Sequence, residues 1–418
     1  LIFTPFLYCL NTTFPEILLS LGINTATALM LKLFFLVLTT IFFFWFLQVF
    51  VIKLIIYLNI SILIYHMPKI ESDQKLDFHQ VLIRPQRSTI NSRSSVSLSR
   101  TTTFKYSPKL WTGTPIIAAN MDTTGTFGVY EVLSKHNMIT AMNKFYTLED
   151  YKNYANTNKL NPDLFMVSTG IGKDALDNVK AIFDEVECSW LCIDIANGYI
   201  SNFVEFCAKA RELFPDKIIC AGNVVSGAMV QELVLNGKVD VVKVGIGPGS
   251  ACTTRLKTGV GMPQLSAVLE CADYAHGLDA HIVSDGGITC PGDASKAFGG
   301  GADFIMMGGT FAGHDENPGE VIEKVVPGQP NEIKKFKKFY GMSSKLAMKK
   351  HYGEMAKYRS SEGREIIIPY KGKLEDTVLD YLGGIRSTCT YINARTIKQM
   401  SKCTTFVIVG QQVNTSLV

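Results

Sequence analysis

The chain has 418 residues, 47% hydrophobic and 19% charged, with a formal net charge of +4. That length suffices for one large α/β barrel or two smaller domains, and the small net charge lacks the basic footprint of a nucleic-acid binder. Ten cysteines occur without a Cys-x-x-Cys pair or a His cluster, so neither a zinc site nor a disulfide framework is indicated and a reducing compartment is the default.

Charge is spread unevenly. Residues 1–66 carry three charged side chains, Glu16, Lys32 and Lys53, and Leu33 to Ile52 is a run of twenty residues without a charge. Such a run meets the length and polarity test for a transmembrane helix. It is too long for a signal peptide and has no obvious small-residue cleavage site. A second reading competes: the chain begins with Leu1, and Met67 opens a polar stretch at the composition change, so residues 1–66 could be an upstream extension of translated non-coding sequence. On either reading the segment is expected to be dispensable for catalysis, and residues 67–418 to form the acting domain.

After a Ser/Thr/Arg-rich entry from Phe78 to Thr103, short apolar runs recur with room for a helix between them. The predicted strands are Pro115–Ala119, Met138–Met142, Phe165–Ser168, Trp190–Ile195, Lys217–Ala221, Val239–Val244, His281–Ser284 and Asp303–Met307. Eight such units predict a (β/α)8 TIM barrel, whose ligands bind at the carboxyl ends of the strands. Most of the runs do end in loop-forming residues, among them Asn120-Met121-Asp122, Asn197-Gly198 and Gly222-Asn223. Behind the last two strands stand Asp285-Gly286-Gly287 and Gly308-Gly309. Glycine doublets also make plain tight turns, but their position after strands seven and eight predicts a phosphate cradle.

The most informative loop, Gly245 to Arg255, follows the sixth run and reads GIGPGSACTTR. Its glycines allow positive φ and close approach to a ligand. Thr253, Thr254 and Arg255 set hydroxyls and a cation beside Cys252, which would favour a nucleophilic thiolate. A buried structural cysteine is the ordinary alternative. Beyond the eighth run, Pro318 to Glu362 is too long for a simple connection and is read as a flap over the site. Within it Lys334, Lys335, Lys337 and Lys338 read first as a solvated face and second as an anion-steering patch. Glu362, beside Gly363, is either an idle surface carboxylate or a candidate acid/base.

Several motifs together resemble the inosine-monophosphate dehydrogenase/GMP reductase family over Met67 to about Gln412: KLDFHQVLIRP (Lys75–Pro85), Ala118–Thr123, Asp194–Tyr199, Ala221–Val224, Gly245–Arg255, Ser284–Ile288 and Phe339–Ser343. The reductase branch fits better. Met142 to Tyr146 leaves no room for the regulatory insert usual in the dehydrogenases, no Arg-Tyr pair in that order occurs in residues 318–362, and Glu362 stands where reductases place a catalytic glutamate.

The resemblance implies NADPH-dependent reductive deamination of GMP to IMP and ammonia in the cytoplasm, as part of purine nucleotide interconversion. Cys252 would add to purine C2, and Thr254 with Glu362 would handle the proton of the leaving amine. GMP would be held by Ser250, Asp285, Gly286, Gly287, Gly308 and Gly309 at phosphate and ribose. Gly341, Met342, Ser343, Arg359 and Gly363 would meet the base. The cofactor would contact Lys144, Asp194, Ile195, Ala196, Ile246, Gly247, Tyr358 and Arg359, with Ser92, Arg93, Ser387, Thr388, Cys389 and Thr390 of a neighbouring subunit at its adenosine end. A monovalent cation, usually K⁺, would sit on carbonyls of Gly247, Gly249, Cys252 and Arg255, and the assembly would be a homotetramer.

Ala251 and the long stretch around Pro327-Gly328-Gln329-Pro330 depart from the family pattern without removing a chemical group. Two other readings stay open: an IMP dehydrogenase without regulatory domains, and a membrane-tethered nucleotide-binding protein without turnover.

Overall fold

The computed structural model describes residues 22, 24–66, 69–326, 329–353 and 360–410. Contacts divide the chain into two units, Leu1–Asp73 and Gln74–Val418. Among its described residues the first holds the helix Thr25–His66, with no acidic residue in its first turn. Its stretch Leu29–Ile55 is 27 residues long and is long and apolar enough to cross a membrane. At 1.5 Å per residue it spans about 40 Å, more than the roughly 30 Å hydrocarbon core of a bilayer.

The second unit begins with strand β1 (Val81–Ile83) and the hairpin β2 (Arg100–Thr103) and β3 (Leu110–Gly113). Eight parallel strands follow: β4 (Ile116–Ala118), β5 (Ile139–Ala141), β6 (Phe165–Thr169), β7 (Trp190–Asp194), β8 (Ile218–Val224), β9 (Val241–Val244), β10 (His281–Asp285) and β11 (Phe304–Met307). They form a closed barrel, completed by the register Ile305↔Ile116 between β11 and β4. Each of the eight predicted strands is one of these. Their β-branched and apolar residues are buried on both faces, as a parallel sheet sheathed by helices requires.

Helices alternate with the strands, from Phe127–Leu133 after β4 to Pro291–Gly299 after β10. The eighth helix, Leu374–Tyr391, is held back in sequence by the inserted flap. That flap is a built structure. β12 (Ile322–Val326), β13 (Gln329–Tyr340) and β14 (Glu365–Pro369) make an antiparallel sheet, with the helix Lys345–Tyr352 between β13 and β14. The extra length before the Phe339–Ser343 motif thus builds the β12–β13 hairpin. A last strand, β15 (Phe406–Ile408), pairs antiparallel with β1.

The two ends of the barrel differ in chemistry. Trp111 of β3 inserts among aromatic side chains of the barrel, its ring 5.2 Å from Phe304 and 6.1 Å from Trp190, and its indole N–H donates to the Asp163 carbonyl at 2.9 Å. These edge-on and tilted rings fill the amino-terminal side with apolar bulk. Polar and glycine-rich loops are left to the carboxyl ends, where the site forms.

Candidate active site

Strand β9 delivers the cysteine loop, and two glycines shape it. Gly245 has φ +153°, and a Cβ there would lie 2.3 Å from the Asp285 carbonyl oxygen; Gly247 has φ +86°, and its Cβ would lie 2.6 Å from Arg255 Cγ. Both the backbone angles and the close approach demand glycine. The side chain of Gln264 fastens the loop to the barrel by donating to the Val244 carbonyl at 2.8 Å and to Ser284 Oγ at 3.2 Å. Asp77, from the KLDFHQ motif, accepts from Arg255 Nη1 at 3.0 Å and from the Gln264 N–H at 2.8 Å. That motif therefore acts structurally, locking the start of the helix behind the cysteine.

On this frame the Cys252 thiol donates to Thr254 Oγ1 at 3.2 Å, and the Thr254 hydroxyl donates to Glu362 Oε2 at 2.8 Å. Glu362 is brought from the flap by backbone bonds on both sides. The Thr253 N–H donates to the Glu362 carbonyl at 2.7 Å, the Arg364 N–H donates to the Ala251 carbonyl at 2.9 Å, and Cys252 and Gly363 form an antiparallel bridge. The Arg364 guanidinium adds bonds of 2.8 and 3.1 Å to the Ser250 carbonyl. The Gly363 N–H donates to the Ser343 carbonyl at 3.3 Å and the Gly341 N–H to the Arg364 carbonyl at 3.2 Å. Gly341, Met342 and Ser343 are thereby drawn to the same locus as Cys252.

The predicted anion cradle also converges. Gly286 and Gly287 have φ of +86° and +77°, and a Cβ on either would touch Pro248 of the cysteine loop at 3.2 or 3.3 Å. A Cβ on Gly309 would lie 2.7 Å from Ser250 Oγ, and one on Gly308 would lie 2.9 Å from Met121 Sδ. Asp285 stands beside them, accepting from Asn223 Nδ2 at 2.9 Å.

Behind Asp285 lies Lys243, buried in β9. Its ammonium reaches Asp194 Oδ1 at 2.6 Å, Asp285 Oδ2 at 3.2 Å and Asn120 Oδ1 at 3.4 Å. Burial opposes its charge, but the Asp194 and Asp285 carboxylates outweigh burial and hold its pKa well above the usual lysine value. Burial likewise acts to raise the Asp194 pKa, and the Lys243 charge reverses it to a net lowering.

Asp194 ends β7, and Lys144, Ile195, Ala196, Ile246 and Gly247 follow β5, β7 and β9 on this rim, with Lys144 Nζ 5.6 Å from the Phe145 ring centroid. Ser92 and Arg93 begin an exposed turn on the arm before β2. Ser387, Thr388, Cys389 and Thr390 lie in the last turns of the helix Leu374–Tyr391; Cys389 is fully buried and Thr388 Oγ1 bonds Ser295 Oγ at 2.9 Å. Among the described residues no hydrogen bond joins either group to the cysteine loop. Tyr358 and Arg359 lie outside the described residues.

Sequence reasoning placed Asn223 in a loop at a strand's carboxyl end but missed Lys243, Gln264 and the structural role of Asp77. A signal existed for Lys243, a lone cation within the apolar run Val239–Val244; for Gln264 and Asp77 there was none, because their partners are remote in sequence. No group of three or more His, Cys, Asp or Glu side chains able to hold a metal occurs among the described residues. The cation expected on backbone carbonyls is of a different kind, and the Gly247 and Cys252 carbonyls accept none of the bonds that order the loop.

The fold is a closed parallel α/β barrel of the enzyme type, and at the carboxyl ends of its strands a thiol–hydroxyl–carboxylate chain from Cys252 through Thr254 to Glu362 stands beside glycine-rich loops. The chain belongs to the IMP dehydrogenase/GMP reductase family, whose domain model matches residues 75–415. It is 55% identical over 350 residues to GMP reductase 1 of Mus musculus, covering 84% of this chain and 99% of the relative. It is 53% identical over 350 residues to GMP reductase 1 of Homo sapiens, covering 84% and 99%. With the GMP reductase of Buchnera aphidicola subsp. Schizaphis graminum the identity is 54% over 349 residues, covering 83% and 97%. The long apolar helix lies outside the family match.

Proposed function

We propose that the protein is a GMP reductase that converts GMP to IMP and ammonia with NADPH, and that Cys252, Thr254 and Glu362 carry the chemistry. The observation that carries this reading is the unbroken thiol–hydroxyl–carboxylate relay at 3.2 and 2.8 Å. Its polarity is the one the reaction needs. The thiol's proton passes through Thr254 to Glu362 as sulfur adds to purine C2. Returned by the same route, that proton converts the 2-amino group into a leaving ammonia and leaves C2 bound to Cys252 as a thioimidate. NADPH, when bound, supplies the hydride that C2 requires. Cys252 then departs from C2 as thiolate, IMP is freed, and solvent restores the thiol proton.

The residues fit these ligands. Ser250 with Gly286, Gly287, Gly308 and Gly309 offers backbone N–H groups and a hydroxyl to the GMP phosphate, and Asp285 suits the ribose hydroxyls. Gly341, Met342, Ser343, Arg359 and Gly363 are assigned to the base. Lys144, Asp194, Ile195, Ala196, Ile246, Gly247, Tyr358 and Arg359 are assigned to the cofactor. The exposed Arg93 guanidinium, with Ser92 and Ser387–Thr390, suits the 2′-phosphate and adenosine end of a cofactor held by the next subunit of a tetramer. K⁺ would rest on the carbonyls of Gly247, Gly249, Cys252 and Arg255, hard oxygen ligands in a glycine-opened loop.

We further propose that residues 67–418 are the catalytic domain, working in the cytoplasm, and that residues 1–66 are dispensable for turnover. The exposed apolar stretch Leu29–Ile55 supports a second localisation, in which the helix anchors this domain to a membrane. Flotation of the full chain with lipid vesicles separates the two.

The decisive test is GMP-dependent NADPH oxidation by the full chain with K⁺, beside Cys252→Ala and a chain trimmed to Met67–Val418. Turnover by both lengths, lost in the variant, is the expected result. NAD⁺ reduction with IMP in place of GMP-dependent NADPH oxidation would overturn it in favour of a dehydrogenase, and GMP binding without any turnover would leave only a nucleotide-binding protein.

A further inference from the structure

The flap helix Lys345–Tyr352 carries the loop Gly341–Ser343 into the site, yet its only buried side chain is Ala347. Apolar packing therefore holds it weakly. A single carboxylate compensates. Asp122, 93% buried in the loop after β4, uses Oδ2 to accept from the Tyr340 hydroxyl at 2.8 Å, from Lys350 Nζ at 3.0 Å and from His351 Nε2 at 2.8 Å. Its other oxygen, Oδ1, is buried with no partner among the described residues, so Oδ2 bears the whole contact. The His351 ring is also stacked on Phe145, with centroids 3.5 Å apart.

The placement of these partners is what matters. Tyr340 immediately precedes Gly341-Met342-Ser343, and Lys350 and His351 end the helix that follows. One oxygen atom on the barrel thus clamps both ends of the segment 341–349. Beside the clamp lies a cavity of about 510 Å³ bordered by Asp122, Phe145, Glu316, Lys350 and His351. On that face the helix is held by the polar bonds to Asp122 and by the stack of His351 on Phe145. The same loop steadies the rest of the site, since Met121 packs against the cluster of Ala251, Ala312 and Phe339.

We propose that Asp122 is a positioning residue that sets the Met342-Ser343 loop for recognition of the purine base, acting through Tyr340, Lys350 and His351. It touches none of the reacting atoms. This rests on the GMP reductase reading above. Charge-assisted hydrogen bonds of this kind are among the stronger polar contacts in proteins, and a neutral amide accepts them less well.

The experiment compares the full-length wild type with Asp122→Asn, Lys350→Met and the double variant in steady-state GMP turnover. Lys350 is half-exposed, so its replacement is expected to leave the fold intact. Expected are a rise of about tenfold in the KM for GMP in Asp122→Asn, a smaller rise in Lys350→Met, a less than additive double variant, and a kcat within about threefold of wild type. Limited proteolysis read within the helix Lys345–Tyr352 should quicken in step with KM. Unchanged KM and proteolysis in both single variants overturn the proposal, as does a fall in kcat at constant KM. If the wild type itself does not turn over GMP, the reductase reading has failed, and proteolysis alone then decides whether the clamp exists.

Discussion

Lys243 Nζ lies 2.6 Å from Asp194 Oδ1 inside the barrel mouth. Because Asp285 is on the same ammonium at 3.2 Å, one buried cation joins the carboxylate assigned to the ribose of GMP with the one assigned to the cofactor. Replacing Lys243 by Met would leave two carboxylates facing each other without the buried counter-charge they share. Removing one partner of a buried pair costs roughly 3–5 kcal/mol. Asp194 and Asp285 keep some solvent access, with side chains 31% and 19% exposed, so the lower end of that range is expected. Urea unfolding measures it, and NADPH titration should show weaker binding in the same variant.

Glu362→Gln preserves the shape of the relay but removes the carboxylate proposed to store the proton. Thr254 can still donate to an amide oxygen, so the thiol and the flap should stay in place. The expected outcome is a fall in kcat of about 10²–10³-fold, within the range for general acid–base groups, with GMP affinity by calorimetry changed less than about threefold. A comparable loss of GMP binding would show that Glu362 holds the flap rather than the proton.

The barrel was legible in the sequence because parallel strands buried on both faces give continuous apolar runs, and all eight stood out. Cys252, the glycine pairs and Glu362 were legible as local motifs, the last because the resemblance supplied its counterpart. What binds these parts was not. Asp77 to Arg255, Asp122 to His351 and Gln264 to Ser284 are contacts between segments far apart in sequence, and each residue alone reads as an ordinary polar side chain. The flap was visible as length, but its form as a sheet with a helix was not, because β13 mixes lysines with apolar residues on a half-exposed face.

Gly309 is predicted to be needed for binding more than for folding. A Cβ there would lie 2.7 Å from Ser250 Oγ and 3.5 Å from Phe339, and the serine hydroxyl can rotate away at small cost. Gly309→Ala should therefore shift unfolding by less than about 1 kcal/mol, as ordinary for substitutions that create neither a cavity nor an unpaired charge. Its KM for GMP should rise about tenfold or more, since both the added methyl and the displaced Ser250 occupy the proposed phosphate cradle. Kinetics and thermal melts of the same preparation check the split.

His314 should make the protein sensitive to mild acid. It is fully buried, its Nε2 is 2.7 Å from Thr377 Oγ1, and its Nδ1 has no partner among the described residues. Burial first, and the Lys371 charge second, lower its pKa to about 4. The folded state therefore keeps the ring neutral while the unfolded chain takes up a proton near its ordinary value of about 6.5. The stability from this site is present above that value and is lost as pH falls toward about 4. Between pH 7 and 5 the loss is about 2 kcal/mol, at 1.36 kcal/mol per pKa unit. His281 works in the opposite sense. Burial lowers its pKa, the Asp303 carboxylate outweighs burial to give a net rise, and its contribution is lost as pH rises through the raised value. His314→Gln should remove the acid-side loss while leaving the contribution of His281. Unfolding free energies at pH 7 and 5 should then differ by about 2 kcal/mol less in the variant than in the wild type; an equal difference in both proteins would mean that His314 is protonated in the folded state.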